Sequence, residues 1–352
     1  MEAGTHTGPR VTDDAVEFRL PARSITGAAL LHELRGERRS EFSRAGGAWR
    51  LTFPRPAADR FEYVLERRFR RDRIEVGLDP TNPARAPGPF GEKSVVEFPA
   101  YEEPTWVSDE EAAQGDVREL PLESVRLNTT IPALLWSAAD TDPNRPLPLL
   151  IVHDGPEYAT FSSLVRLLDH LVDFGEVPEF RAALLPPPLD RNEMYSASAR
   201  YANAFAVDLL QAIRAEAPTD RPPVLMGASL GALAAMNIHA QTPGILGGLF
   251  LQSGSFFRRR FDEHRSRFGR FARVTRFVGS IYGGRGFLPV IPTTITCGTA
   301  EDNLDNNQSL VDALTRRGWN PRAVWTRDAH NWISWRDALH PHLADLLLRV
   351  WT

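Results

Sequence analysis

Ser229 lies in Gly227-Ala228-Ser229-Leu230-Gly231, a G-x-S-x-G pentapeptide that follows the apolar run Val224-Leu225-Met226 and opens an Ala-rich segment. That order predicts a strand, a sharp turn and a helix, with the serine at the apex and glycines where strand and helix must approach closely. A hydroxyl so placed stands clear of the sheet at a helix N-terminus, where backbone N–H groups can donate to a developing oxyanion. The chemistry would be attack on a carbonyl carbon, which needs a base to take the hydroxyl proton and an acid to orient that base.

In a serine site of this build the acid and then the histidine follow the serine along the chain. His239, His264, His330, His340 and His342 all follow Ser229. His239 is too far along the helix that Ser229 starts, and His264 belongs to a charge-rich segment, 258–270, that reads as a solvated helix. His340 and His342 form an H-x-H pair in the last helix, a weak metal signal. His330 follows the run Ala323-Val324-Trp325 and precedes the last helix, which puts it in a strand-end loop and makes it the candidate general base. The acid should come from the loop after the preceding strand, where Thr293 to Cys297 runs into Gly298-Thr299-Ala300-Glu301-Asp302. Glu301 is favoured and Asp302 is the alternative, the other carboxylate capping the next helix or facing water.

The backbone N–H of Leu230 is one expected oxyanion donor. The second should come from His153-Asp154-Gly155-Pro156-Glu157-Tyr158, and because Pro156 has no N–H the choice falls on Glu157 or Gly155. Tyr158 either contacts substrate beside Ser229 or packs its loop onto the sheet. In the loop 189–196, Arg191 and Glu193 either line the pocket or brace the loop through a salt bridge. Trp332 and Trp335 are candidates for an aromatic wall against the substrate, with Trp335 alternatively part of the core.

These residues need a scaffold that brings strand ends together. From about residue 120 the chain alternates strands and helices: Leu147 to Val152, a helix from Phe161 to Phe174, Ala182 to Leu185, a helix from Tyr201 to Ala215, the Val224 strand, and a helix from Gly231 to Ala240. Then follow Gly248 to Leu251, Thr293 to Cys297, a helix around Leu310, Ala323 to Trp325, and a last helix from Trp335 to Val350. Such β-α alternation predicts a mostly parallel sheet covered by helices, with ligand sites at the carboxyl ends of its strands. Before residue 120 the runs Trp49 to Phe53 and Phe61 to Glu66 alternate apolar and polar side chains, the period of half-buried strands in a small antiparallel sandwich. The proline-rich stretch from Asp79 to Pro89 reads as a surface loop, and the acidic stretch from Ser108 to Asp116 as a linker. The expected domains are therefore 1–119 and 120–352.

The chain has 352 residues, 42% hydrophobic and 24% charged, with a formal charge of −4, so neither nucleic acid nor an acidic membrane is expected as a partner. Of 41 basic residues only Lys93 is a lysine, and it lies in a Gly/Pro-rich stretch far from Ser229, which argues against Ser-Lys or Schiff-base chemistry. The single cysteine, Cys297, can form no internal disulfide, and no Cys/His cluster suggests a metal, so no cofactor is expected. The segment from Met1 to Arg10 has no apolar stretch of the leader type, and no run reaches membrane-spanning length, so the expected location is the cytoplasm.

Gly227-Ala228-Ser229-Leu230-Gly231-Ala232, Leu251-Gln252-Ser253-Gly254-Ser255, Cys297 to Leu304 and Ala329-His330-Asn331-Trp332 together resemble the esterase D superfamily of α/β-hydrolases, nearest to enterochelin esterase-like proteins. The resemblance covers the chain from about residue 120 to its end. It implies an α/β-hydrolase domain in which Ser229, Glu301 or Asp302, and His330 correspond to the family's serine, acid and histidine. Trp49 to Phe53, Arg60 to Tyr63 and Asp79 to Pro83 are similar to the immunoglobulin-like domain that precedes the hydrolase in enterochelin esterases. Pro156 departs from relatives that place an N–H donor after the glycine. The implied activity is serine esterase on a small-molecule ester, a siderophore ester by the nearest resemblance. Acyl transfer on the same fold and a non-catalytic ligand-binding protein are the alternatives.

Overall fold

Continuous runs of Leu, Ile, Val and Ala make strands that can be buried on both faces, and five of them form the middle of the larger sheet. The computed structural model describes residues 8–22, 24–108, 111–284, 286 and 288–352. Residues 1–7, where no leader was expected, and Asp109 and Glu110 of the expected linker lie outside the described residues. Eight strands make the larger sheet: β1 (Asp116–Ser124), β2 (Thr129–Ser137), β3 (Leu149–His153), β4 (Arg181–Leu185), β5 (Val224–Ala228), β6 (Gly248–Gln252), β7 (Thr293–Gly298) and β8 (Arg322–Thr326). Their order is β1-β2-β4-β3-β5-β6-β7-β8. The pairs β4/β3, β3/β5, β5/β6 and β6/β7 are parallel, whereas β1/β2 and β2/β4 are antiparallel, so the sheet is mixed. Every residue of β3, β4, β5, β6 and β7 is buried. Each buried Leu, Ile or Val there contributes on the order of 1.5–3 kcal/mol of transfer free energy.

Most helices fall between the strands as the periodicity predicts; the helix Phe271–Tyr282 was not expected, and several others differ. The helix expected from Tyr201 to Ala215 is α-helical over Ala199–Ala204 and Leu210–Glu216 but π-wound over Phe205–Leu209. The last helix is two, Trp332–Asp337 and His342–Trp351, because Pro341 has no N–H to continue the ladder. The segment 258–270 is also not a solvated helix: it holds a 3-10 turn, Glu263–Arg265, and buries Asp262.

The chain separates into two compact units. The larger comprises 103–297, 303–324 and 335–352, and the expected boundary between residues 119 and 120 falls inside β1. The smaller comprises the residues up to Glu102 together with Gly298–Asp302 and Trp325–Ser334. It contains two antiparallel sheets, of four and six strands, whose long members are Ala15–Pro21, Ile25–His32, Ala48–Pro54 and Arg60–Phe69. Their core, including Phe18, Leu30, Phe61, Tyr63 and Leu65, also takes in Ala300 and Ala329. The proline-rich stretch is less superficial than its composition suggests. Asp79 and Asn82 are buried around Tyr63, whose hydroxyl donates to Asp79 Oδ2 (2.8 Å) and accepts from Asn82 Nδ2 (3.0 Å).

Candidate active site

In the larger unit β5 ends in the turn at Ser229, and the helix Leu230–Gln241 starts there, buried along nearly its whole length. Ser229 has φ 54° and ψ −119°, a conformation that an L-residue holds only when its surroundings impose it. Those surroundings are close packed. A Cβ on Gly227 would come within 2.7 Å of the Gly231 carbonyl carbon, and one on Gly231 within 3.3 Å of Asp154 Oδ2. Ser229 N–H donates to the Gln252 carbonyl (2.9 Å), its carbonyl accepts from Ser255 N–H (3.0 Å), and the two hydroxyls share a hydrogen bond of 3.2 Å.

The loop after β3 is held tightly. Asp154 sits in the left-handed region (φ 53°), and a Cβ on the following Gly155 would lie 2.4 Å from Leu184 Cα. Arg191 grips the buried Asp154 carboxylate with Nε (3.0 and 3.2 Å) and Nη2 (2.6 Å), and its guanidinium lies over the Tyr195 ring. The partner expected for Arg191 within its own loop, Glu193, instead pairs with Arg270 and Arg273. Pro156 and Glu157 begin the helix Gly155–Phe161, and burial raises the Glu157 carboxyl above its usual range. Tyr158 is fully buried and its hydroxyl donates to Gln252 Oε1 (2.7 Å). Of its two expected roles it takes the packing one, since no face of the ring is left for a substrate. Trp335 is likewise core: its indole N–H donates to Ser253 Oγ (3.0 Å). His153, which precedes Ser229 and so fell outside the search for a base, is fully buried against Tyr195 and Tyr201. Burial pushes its pKa down to about 4, so it is neutral and donates from Nδ1 to the Gly231 carbonyl (3.1 Å), pinning the start of the helix.

In the smaller unit the loops after β7 and β8 bring Glu301 and His330 together. His330 Nδ1–H donates to Glu301 Oε2 at 2.5 Å, and Gly298 N–H donates to Glu301 Oε1 at 2.8 Å. The Glu301 side chain is 1% exposed and the imidazole 30% exposed, so the ring is anchored through Nδ1 on a buried carboxylate. Asp302 pairs with Arg38 and accepts from Gly36 N–H (3.4 Å). The His330 loop is fixed from both sides by a buried network. Asp328 Oδ1 accepts from Ala329 N–H (2.7 Å), and Arg60 Nη1 donates to Asn331 Oδ1 (2.9 Å) while lying 3.6 Å from Asp328 Oδ2. Arg60 comes from the strand Arg60–Phe69, 271 residues from Asn331 in sequence, and no local signal could have indicated it. Trp332 is partly exposed where it opens its helix.

The putative-esterase family matches residues 124–346, well over half of the chain. The chain belongs to the putative-esterase family. Membership makes it an esterase, and its relation to enterochelin esterases extends to their fold. The enterobactin esterase FES from Shigella flexneri, solved in the presence of enterobactin, is 21% identical, with 99% of this chain and 97% of that one covered at a TM-score of 0.77. Ferric enterobactin esterase from Salmonella typhimurium is 19% identical over 98% of this esterase and 97% of its own chain, also at 0.77. A ferulic acid esterase from Anaeromyces mucronatus is 13% identical and covers 68% of this chain and 93% of its own, at 0.53. No curated protein matches the sequence. Among the described residues no helix is long and apolar enough to cross a membrane.

Proposed function

We propose that this chain is a serine esterase in which Ser229 is the nucleophile, His330 the general base and Glu301 the orienting acid. The observation that carries the reading is the 2.5 Å pair between His330 and Glu301, which leaves Nε2 as the acceptor of the imidazole. In the proposed cycle His330 Nε2 takes the Ser229 proton as Oγ attacks the ester carbonyl. The oxyanion receives the N–H of Leu230 and a second N–H from the loop after β3, with Glu157 the candidate. The leaving alcohol takes the proton from His330, and a water activated by the same nitrogen then releases the acid from Ser229. The Ser229–Ser255 hydrogen bond supports a resting hydroxyl that is already held in place.

The likeness to structures of enterobactin esterases supports a small-molecule siderophore ester as substrate and an immunoglobulin-like reading of the N-terminal strands. The one buried free cysteine suits action in the cytoplasm. Labelling with a fluorophosphonate followed by peptide mass spectrometry tests the nucleophile: the adduct should fall on Ser229 and disappear in Ser229→Ala. That variant should keep the fold and lose about 10⁴-fold or more in kcat on p-nitrophenyl acetate. Undiminished turnover by the variant would exclude Ser229, and release of catechol-bearing serine from a trilactone by the wild type alone would establish the substrate class.

A further inference from the structure

Neither the ester chemistry nor the apolar core uses His170, Glu176 and His340, yet their side chains converge. His170 sits in the last turn of the helix Leu164–Asp173. That helix closes with Gly175 at φ 67°, Gly175 N–H donating to the Val172 carbonyl (3.1 Å) and Glu176 N–H to the Leu171 carbonyl (2.9 Å). This double closure fixes Glu176 beside the helix end it has just left. His340 arrives from the turn between the two C-terminal helices, immediately before Pro341. The Nε2 of His170 lies 3.2 Å from Glu176 Oε1, and the Nε2 of His340 lies 2.8 Å from Glu176 Oε2. The rings stand at 84° to each other with centroids 6.0 Å apart. One ligand atom from each residue lies within 4.8 Å of the others, and among the described residues no other group of three such ligands does so.

We propose that His170, Glu176 and His340 form a binding site for a divalent transition metal of the zinc class. Two imidazole nitrogens and one carboxylate oxygen are a ligand set that zinc accepts with one position left for water. In a tetrahedral zinc set neighbouring ligand atoms are roughly 3.4 Å apart, so the separations here need only small side-chain adjustments. The ion takes the place of the two Nε2 protons that otherwise bridge the rings to Glu176, each of which shifts to the Nδ1 of its own ring or passes to water. The partial exposure of all three side chains leaves the water position open. The histidine pairing that the sequence suggested, His340 with His342, is replaced by His340 with His170. His342 starts the last helix, and its imidazole is held below its usual pKa by burial.

The full-length Ser229→Ala chain, stripped with a chelator, should be titrated with Zn²⁺ in a calorimeter and with Co²⁺ in a spectrophotometer. The expected result is one ion per chain and a visible Co²⁺ absorption of low-symmetry coordination. His170→Ala and Glu176→Gln should each weaken binding by more than the roughly 10–100-fold that loss of an outer-shell partner costs. His342→Ala should leave it unchanged. No uptake at millimolar metal, or uptake that both variants retain, would overturn the proposal and leave Glu176 as a hydrogen-bonded bridge between two histidines. Circular dichroism on each variant separates loss of ligand from loss of fold. Because the titration is done without Ser229, its outcome is independent of the ester chemistry.

Discussion

Glu301 and Asp302 carry the same charge and adjoin in sequence, yet they face different partners, His330 and Arg38. Glu301→Gln keeps the size of the side chain but removes the charge that would stabilise an imidazolium, so kcat on p-nitrophenyl acetate should fall by about 10³–10⁴-fold. Asp302→Asn should cost far less, because it weakens an ion pair at the rim of the smaller unit rather than the base. Equal losses in the two variants would count against Glu301 as the acid. The strained turn at Ser229 and the strand-end loop at His330 were legible in the sequence because local signals mark them: glycines around the first, a strand end before the second. The sequence favoured Glu301 and kept Asp302 open, and the pairing of Asp302 was not legible, since its partner Arg38 lies 264 residues away. His153 was missed for a different reason: its role is structural, and a search for a base downstream of the serine does not look for a neutral imidazole pinning a helix.

At the level of elements, the buried central strands of the larger unit and most of the helices between them followed from apolar periodicity, whereas β1, β2 and the helix Phe271–Tyr282 did not. Pro341 splits the last helix, and a π-wound turn interrupts the helix ending at Glu216. In the smaller unit two strands, Ala48–Pro54 and Arg60–Phe69, were legible and their long-range partners were not, because the loops that bear His330 and Glu301 pack among strands contributed by residues up to Glu102. Asp59 N–H donates to the Arg327 carbonyl (2.7 Å), Thr299 Oγ1 donates to the Ala57 carbonyl (2.9 Å), and Arg60 spans Asn331 and Asp328. Arg60→Ala leaves a buried Asp328 without its cation, which should lower unfolding stability by about 3–5 kcal/mol in a urea titration. Below that transition kcat should drop more than KM rises, because the loop that aims His330 loses its anchor. A variant as stable and as active as the wild type would show that the network does not position the loop.

The whole molecule cannot be cut where its composition changes. A chain reduced to residues 103–352 would expose Ala300 and Ala329 and leave Arg327, Asp328 and Asp302 without Asp59, Arg60 and Arg38. Such a truncation should be poorly soluble or, if recovered, inactive toward p-nitrophenyl acetate while the full chain is active. A soluble and fully active truncation would refute the dependence. The same global view applies to the backbone at Ser229, whose φ of 54° costs the folded state on the order of 1–3 kcal/mol that a glycine would largely avoid. Ser229→Ala retains that strain and Ser229→Gly releases most of it, so the glycine variant should melt a few degrees higher than the alanine variant. The proposed nucleophile is thus a weak point of the fold. A lineage that no longer needed the reaction would gain thermal endurance by drifting to glycine at that single codon, and a melting curve, with no substrate in the cuvette, would register what keeping the serine costs.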